Sequence, residues 1–328
     1  MALLTIANPT LPNQNLGAGD DLALAIEEFT GLVEGTIERR AKFAPFINFR
    51  PVRGTSTITN EGIGKSTLQK ITKGEAPDPT INEAARINLT VDTTIIARNW
   101  VAQIDDFQKN YAFKQEVAKE HGKEISKFLD QAVAIQAAKA AALTASSFGA
   151  LPGHQGGSTE TLATAADLTD PAALYSAIGN LLAKMEEKDV DPQADGVMLA
   201  LAPKAFYALL DAEQIVNGTY VTANGKEVVG AKLLKAWGIP VISTNNIPNT
   251  NITSHFLSNT RNGNAFNGDF TKLGAVAFSP DALLAGETIP LSATTWWDEL
   301  TKGFYIDAWL AFSATANRAE YAGRIVLP

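Results

Sequence analysis

The chain has 328 residues, 45% of them apolar and 19% charged, which is ordinary for a globular protein and excludes general disorder. A net charge of −8 gives no electrostatic reason to grip nucleic acid, because affinity for phosphate rises with the number of Lys and Arg contacts. Without cysteine there are no disulfides, thiolate metal sites or cysteine nucleophiles.

Met1 to Leu16 carries no Lys or Arg and no continuous apolar run, so it reads as neither a signal peptide nor a membrane anchor. No stretch approaches the apolar length of a membrane span. Met1 to Gly19 is expected to be an extended arm, broken by Pro9, Pro12, Gly17 and Gly19. From Asp20 the pattern turns helical, with Leu22, Ile26, Phe29, Val33 and Ile37 on one face. An apolar segment, Phe43 to Phe49, follows and is interrupted by Pro45.

Arg50 to Asp78 does not read as core. Thr55, Thr57 and Thr59 alternate as a strand would, Leu68 to Thr72 is the expected returning partner, and Asn60 to Gly64 the loop between them. Ile87 to Val101 adds a Val-, Ile- and Thr-rich stretch with Leu89, Val91 and Thr93 on one face. The expectation is a long two-stranded projection. A hairpin this polar does not stand alone in water, so it needs a surface, and a neighbouring subunit is the natural one. It is locally basic: Arg50, Arg53, Lys65, Lys70 and Lys73 face only Glu61, Glu75 and Asp78. These five cations are the candidate assembly contacts.

Asp105 or Asp106 is placed to cap a helix from Phe107 to about Leu143, a stretch with no proline and only Gly122 as glycine. Phe107, Tyr111, Ala118, Ile125, Phe128, Leu129, Ala132, Val133 and Ile135 trace its stripe. Glu116 with Lys119, Glu120 with Lys123 and Glu124 with Lys127 form i,i+3 pairs on the wet side. Such a helix is roughly 55 Å long. Phe128, Leu129 and Val133 are its expected core residues, packed on strands near Phe304 to Phe312.

Thr144 to Thr161 is a Gly/Ser/Thr-rich loop. Asp170 then caps a helix with Pro171 at its first position and Leu174, Ile178, Leu181, Leu182 and Met185 buried. A short strand at Val197 to Leu201, a helix opened by Pro203 and a strand through Ile239, Val241 and Ile242 make an α/β unit. Between them Val216 to Val229 is a loop holding Asn217, Gly218, Asn224 and Gly225, residues that tolerate positive φ. Strands are expected again at Ala275 to Phe278, Leu283 to Leu291, Phe304 to Phe312 and Tyr321 to Val326.

Few residues invite a chemical reading. Gly62-Ile63-Gly64-Lys65-Ser66-Thr67 resembles the end of a phosphate-binding loop, but Thr59 stands where the first glycine belongs, and neither the apolar strand before nor the apolar helix after is present. His121, His154 and His255 lie far apart and read as exposed or incidental. Asp105-Asp106, Glu186-Glu187 and Asp189-Val190-Asp191 sit where helices start or stop, which explains them without acid–base chemistry. Asn88, Asn217 and Asn251 begin glycosylation patterns that mean nothing without a secretory leader. Trp296, Trp297 and Trp309 read as strand core anchors rather than a sugar-binding face. No cofactor or metal is expected.

The element order resembles the phage HK-97 capsid fold: an α+β chain with N-terminal arm, extended β-hairpin loop, long spine helix, α/β axial domain and returning strands. Leu233 to Pro248, with Gly238-Ile239-Pro240-Val241 leading into a strand and Asn246-Ile247-Pro248 bending after it, looks like that family. So does Ala277-Phe278-Ser279-Pro280-Asp281-Ala282. Gly19-Asp20-Asp21-Leu22-Ala23-Leu24 is similar to the opening of major capsid proteins from T-seven-like short-tailed phages. The resemblance implies an arm and helix at 1–47, an extended loop at 48–98, a peripheral domain with the spine helix at 99–166, an axial domain at 167–274 and return strands at 275–328. It places Asn217, Gly218, Asn224 and Gly225 by the capsomer axis. It further implies pentamers and hexamers of the chain itself tiling an icosahedral shell around double-stranded DNA. Scaffolding and portal proteins would be its partners, with a decoration protein as a further one and no membrane. The shell would be assembled in the host bacterial cytoplasm and kept in the virion. In the type phage a loop lysine and an asparagine crosslink neighbours; Lys65, Lys70 and Lys73 lie in that region without an identifying context, so noncovalent assembly is expected. Two alternatives are a bacterial nanocompartment shell protein of the same fold and a nucleotide hydrolase using Lys65.

Overall fold

The computed structural model describes residues 42–103 apart from 72, 75, 77 and 78, then 112–211 and 234–328. The expected arm and first helix, the Asp105-Asp106 cap and the whole Val216 to Val229 loop lie outside the described residues.

A 3₁₀ turn at Ala44–Phe46 leads to β1 (Phe49–Pro51), then β2 (Thr57–Ile63), β3 (Ala84–Thr90) and β4 (Ile95–Ala102). The long helix α1 spans Ala112–Ala142. Next come β5 (Ser158–Thr161), α2 (Pro171–Glu186), β6 (Met198–Leu201) and α3 (Pro203–Leu210). After the second gap run β7 (Leu234–Ala236), β8 (Ile239–Ser243), β9 (Asn251–Ile252), β10 (Gly268–Asp269), β11 (Leu273–Phe278), β12 (Leu283–Asp298), β13 (Gly303–Ala316) and β14 (Ala322–Val326).

Two main sheets enclose α1. One has the order β1-β12-β13-β4 and the other β5-β14-β11-β6-β8-β7. The helix packs on β13, β12 and β4 of the first and on β14, β11 and β5 of the second. This explains a change of character along it. From Glu120 to Asp130 it is amphipathic, with Lys123–Glu120 at 3.4 Å and Lys127–Glu124 at 4.0 Å on the wet side. Its second half is buried on nearly every side: Ala132, Val133, Ala134, Ile135, Ala137, Ala138, Ala140 and Ala141 are almost wholly covered. A helix apolar all round is one enclosed on all sides, and alanine both favours the helix and lets strands approach closely. The chain then turns back against the helix end, where a Cβ on Gly157 would lie 2.4 Å from the Ala140 carbonyl.

The six-stranded sheet has β11 and β6 fully buried, as continuous apolar runs in a central position require. On it lies α2, where Asp170 accepts a hydrogen bond from the Ala172 N–H at 3.2 Å and Pro171 begins the first turn. Leu174, Ile178, Leu181, Leu182 and Met185 are all buried. The β7–β8 turn places Trp237 at φ 51° and Gly238 at φ 83°. Positive φ is uncommon for so bulky a residue. The indole is held by an N–H bond to the Tyr175 carbonyl at 3.2 Å and by stacking on the Tyr175 ring at 5.0 Å.

β12 and β13 form a long antiparallel pair. Its register shifts between Glu287 and Ser292, around Pro290, which has no N–H to give the ladder. One buried carboxylate ties three segments together. Asp130 of α1 is wholly covered and accepts from the Lys42 N–H at 3.0 Å, the Phe43 N–H at 3.3 Å and the Asn246 amide at 3.0 Å. Burial holds its carboxyl above the usual range, and these three donors offset that only in part.

The hairpin differs from the sequence expectation. β2 pairs not with Leu68 to Thr72 but with β3, in the register Thr57↔Thr90 to Ile63↔Ala84. Leu68 to Ile71 belongs to no strand, and Asn60 to Gly64 is not the turn; the turn is the segment from Gly64 to Glu83.

Candidate assembly site

The base of the hairpin is fastened to its own subunit. Val52, Ile58, Val91, Ile289 and Ala311 form a small apolar cluster under it. The Asn60 amide donates to the Asn317 side-chain oxygen at 2.7 Å. Further out, His154 Nε2 meets the Ile63 carbonyl at 3.2 Å, and the Lys65 N–H donates to the Pro152 carbonyl at 2.8 Å. Glycine at 62 lets this strand close on the loop after α1: a Cβ there would lie 2.9 Å from the Phe148 ring.

These contacts decide the reading of Gly62 to Thr67. The Gly64 N–H donates to the Glu83 carbonyl and the Lys65 N–H to Pro152, both at 2.8 Å. Two of the backbone donors a phosphate would need are thus already engaged, and Gly62 lies in a strand.

Beyond Lys65 the two arms of the hairpin are joined to each other by Asn82 to Ser66 at 2.8 Å and Thr67 to Thr80 at 3.4 Å. Lys65, Lys70 and Lys73 are exposed there, as are Arg50 and Arg53 at the base. One ion pair on the hairpin is internal, Arg86 with Glu61 at 3.7 Å across the two strands. More telling are side chains that charge counting passed over. Leu68 is 100% exposed, Ile81 93% and Ile71 72%. Their signal in the sequence is large aliphatics standing in a polar stretch without a periodic partner.

Other expected residues are placed as follows. Val133 is fully buried, whereas Phe128 and Leu129 are only partly so, on the flank of the core. Phe128 still meets Phe312, ring to ring at 6.0 Å. Trp297 pairs edge-on with Phe304, but Trp296 is 39% exposed on the opposite sheet face, so it is no core anchor. Asp191 accepts from the Gln193 and Ala194 N–H groups at 3.0 Å, a turn-capping role. Among the described residues no cluster of three His, Asp or Glu side chains has metal-binding geometry.

The histidines are not freely exposed: His121 is buried, and His154 and His255 are half-buried. Burial lowers the His121 pKa. His154 faces Glu320, 3.5 Å away, which also binds Arg318. His255 is sandwiched between Phe128 and Phe266, each 5.2 Å away, and accepts from the Leu257 N–H through Nδ1. This apolar sandwich lowers its pKa from 6.5 to about 4. The unfolded chain therefore takes up this proton first. The ring's contribution is intact above about pH 6.5, falls as pH drops towards about 4 and is gone below. Allowing for the ring's partial exposure, about 2–3 kcal/mol is at stake. Melting curves from pH 7 to 4.5 are expected to fall more steeply for the parent than for His255→Asn. Parallel curves would remove His255 from the account.

Comparison with known proteins agrees with this architecture. A family model described as Gp10A-like, major capsid protein, matches residues 62–279, about two thirds of the chain. No curated protein matches. Among solved structures, the capsid of the cyanophage P-SCSP1u superposes with a TM-score of 0.73 at 16% identity, covering 86% of each chain. The mature capsid of bacteriophage PhiM1 gives 0.70 at 19% identity, covering 88% of this chain and 87% of the other. A virus-like particle from Pyrococcus furiosus shares the fold less closely, at 0.53 and 12% identity, over 93% of this chain and 99% of that one. The fold is thus the HK-97-type capsid fold, common to phage shells and to that particle, and the family match decides between them. The chain belongs to the Gp10A-like major capsid protein family.

Proposed function

We propose that copies of this capsid protein tile as pentamers and hexamers into an icosahedral shell around a double-stranded DNA phage genome, each hairpin tip lying on the next subunit. The observation that carries the tiling contact is the tip itself: three large aliphatic side chains stand in solvent on a hairpin whose base is firmly held. Exposed apolar groups grouped in this way mark an interaction surface. A closed shell covers them once per subunit. The net charge of −8 suits a container that encloses DNA without gripping it.

In this reading the protein is a structural component without a catalytic step. Its partners are further copies of itself, a scaffolding protein during assembly, a portal at one vertex and, where the shell is reinforced, a decoration protein. The subunit is made in the cytoplasm of a bacterial host and ends in the virion of a short-tailed phage. The loop with Asn217, Gly218, Asn224 and Gly225 belongs at the capsomer axis, and Arg50, Arg53, Lys65, Lys70 and Lys73 lie at the subunit boundary. Expression of the chain, alone and with its scaffolding protein, followed by sedimentation and negative-stain microscopy, is expected to give round shells with five- and six-fold clusters. A subunit that stays monomeric under both conditions would overturn the proposal.

A further inference from the structure

The His154 ring stands between two hydrogen-bond acceptors, and only one of them belongs to the hairpin. Its Nε2 lies 3.2 Å from the Ile63 carbonyl, at the outer end of β2. On the other side of the ring Nδ1 lies 3.5 Å from Glu320 Oε1, in the 3₁₀ turn Ala319–Tyr321 that joins β13 to β14. The pair is shielded from water: the two side chains are 11% and 5% exposed. The Phe148 ring packs against the imidazole at 5.0 Å. Gly153, at φ 86°, brings the loop so close to the hairpin that a Cβ there would lie 2.8 Å from that of Lys65.

The bonding around this ring does not close with the protons of a neutral imidazole and an ionised carboxylate. A neutral imidazole has one N–H and one lone pair. With the N–H on Nε2 the hairpin bond is made, and the Nδ1 lone pair faces a carboxylate oxygen. With the N–H on Nδ1 the carboxylate is met, and the Nε2 lone pair faces the Ile63 carbonyl. Nδ1 and Glu320 Oε2 are both buried without a hydrogen-bond partner. Neighbouring charges do not fill the gap. Arg318 gives its Nε–H to Oε1 at 3.1 Å and lies 4.7 Å over the Tyr321 ring. Lys188, just past α2, directs its ammonium at the Gly156 and Gly157 carbonyls at 3.0 and 2.6 Å and acts on Glu320 only through space. Lys65 and Glu83, the charged residues of the hairpin at this level, are exposed and meet the junction through their backbone.

We infer that His154 and Glu320 hold one proton between them, and that this proton fastens the outer base of the hairpin to the body of its own subunit. One added proton, on either partner, turns the Nδ1–Oε1 approach into a donated hydrogen bond while the Nε2–H stays on the Ile63 carbonyl. In so close a pair the proton belongs to both groups rather than to one. Its loss leaves one of the two contacts repulsive. The outer tether is therefore closed at lower pH and loosens as pH rises through the range in which imidazole loses its charge. The inner tether, Asn60 to Asn317, contains no titrating group and stays closed throughout. The proton thus sets how far out the hairpin is held, not whether it folds. The device belongs to the single subunit and does not rest on the shell reading.

Amide exchange of the full chain, followed by mass spectrometry from pH 6 to 8, tests it. Rates are corrected for the intrinsic pH dependence of exchange and referenced to α2. The reporting segment is 62–66, where the Gly64 and Lys65 N–H groups are bonded across this junction. Its protection is expected to fall about fivefold as pH rises, the scale of one net hydrogen bond. Burial lowers the pKa of His121, and that of His255 to about 4, so neither drives a change in the upper part of this range. Glu320→Gln discriminates, because its carboxamide N–H donates to a neutral Nδ1 without any added proton. Its protection is expected to stay high and flat. His154→Phe keeps the packing on Phe148 but loses both contacts, and its protection is expected to be low and flat. A flat profile in the parent, or a slope in Glu320→Gln equal to the parent's, would overturn the inference. Should circular dichroism show that Glu320→Gln does not fold, the other two decide: equal slopes in the parent and His154→Phe would overturn it as well.

Discussion

A chain with residues 66–82 replaced by a short turn is expected to fold normally and to give no closed shells. The cut leaves the fastenings of the hairpin's base in place. The β2–β3 ladder, the Asn60–Asn317 bond and the Ile63–His154 contact all survive it. Asn82–Ser66 and Thr67–Thr80, which are lost, join the tip to itself. What disappears is the contact with the neighbour, and magnitudes decide its nature. An exposed ion pair contributes ~0–1 kcal/mol. Burying one Leu or Ile contributes about 1.5–3 kcal/mol, so three such side chains outweigh the tip's lysines even after ordering costs. Assembly through this contact should consequently weaken little between low and high salt, because screening acts on charges. Sedimentation at both salt concentrations gives the particle yield, and circular dichroism checks folding. Normal shells from the trimmed chain would refute the role of the tip. An unfolded chain would return the tip to the subunit's own core.

Asp130→Ala is expected to cost about 3–5 kcal/mol, the scale of removing one member of a buried charged network. Three donors lose their acceptor at once, and two of them are backbone N–H groups that cannot turn away. The neighbouring Phe43 ring, fully buried and edge-on to Phe278 at 5.6 Å, limits how far water can enter to replace it. Asp130→Asn keeps a side-chain oxygen and should lose less. Thermal melting reports the loss, and faster tryptic cleavage at Lys42 reports release of the segment. An unchanged melting temperature in Asp130→Ala would mean that the three bonds are not coupled to folding.

Where local rules dominate, the sequence was sufficient. α2 is legible because Asp170, Pro171 and the spacing of Leu174, Ile178, Leu181 and Met185 each speak for themselves. β14 and β11 were recognisable as short apolar runs. The hairpin was misread because period-two alternation identifies a strand without naming its partner, and the true partner of β2 lies past the connection from Gly64 to Glu83. Phe128 was ranked above its alanine neighbours because size attracts attention, yet enclosure by two sheets buries Ala137, Ala138, Ala140 and Ala141 more completely. Asp130 was invisible among the Glu and Lys residues of the same helix, since only tertiary contacts separate a buried carboxylate from a wet one. The outward position of Trp296 was hidden for a related reason. Tryptophans in strands usually point inwards, and which side of β12 is covered depends on where α1 lies.

The enclosure of the second half of α1 between two sheets has a mechanical consequence. A shell loaded from within is stretched in its own plane, and a subunit yields first where its layers can slide. Alanine leaves few long side chains to tilt at this seam, Gln136 and Lys139 are both bonded to the Ala265 carbonyl, and the loop after the helix sits close against its end. Shear between the sheets would have to break close contacts along several turns together. The helix thus works as a key set in a slot, carrying tension from one half of the subunit to the other with little give.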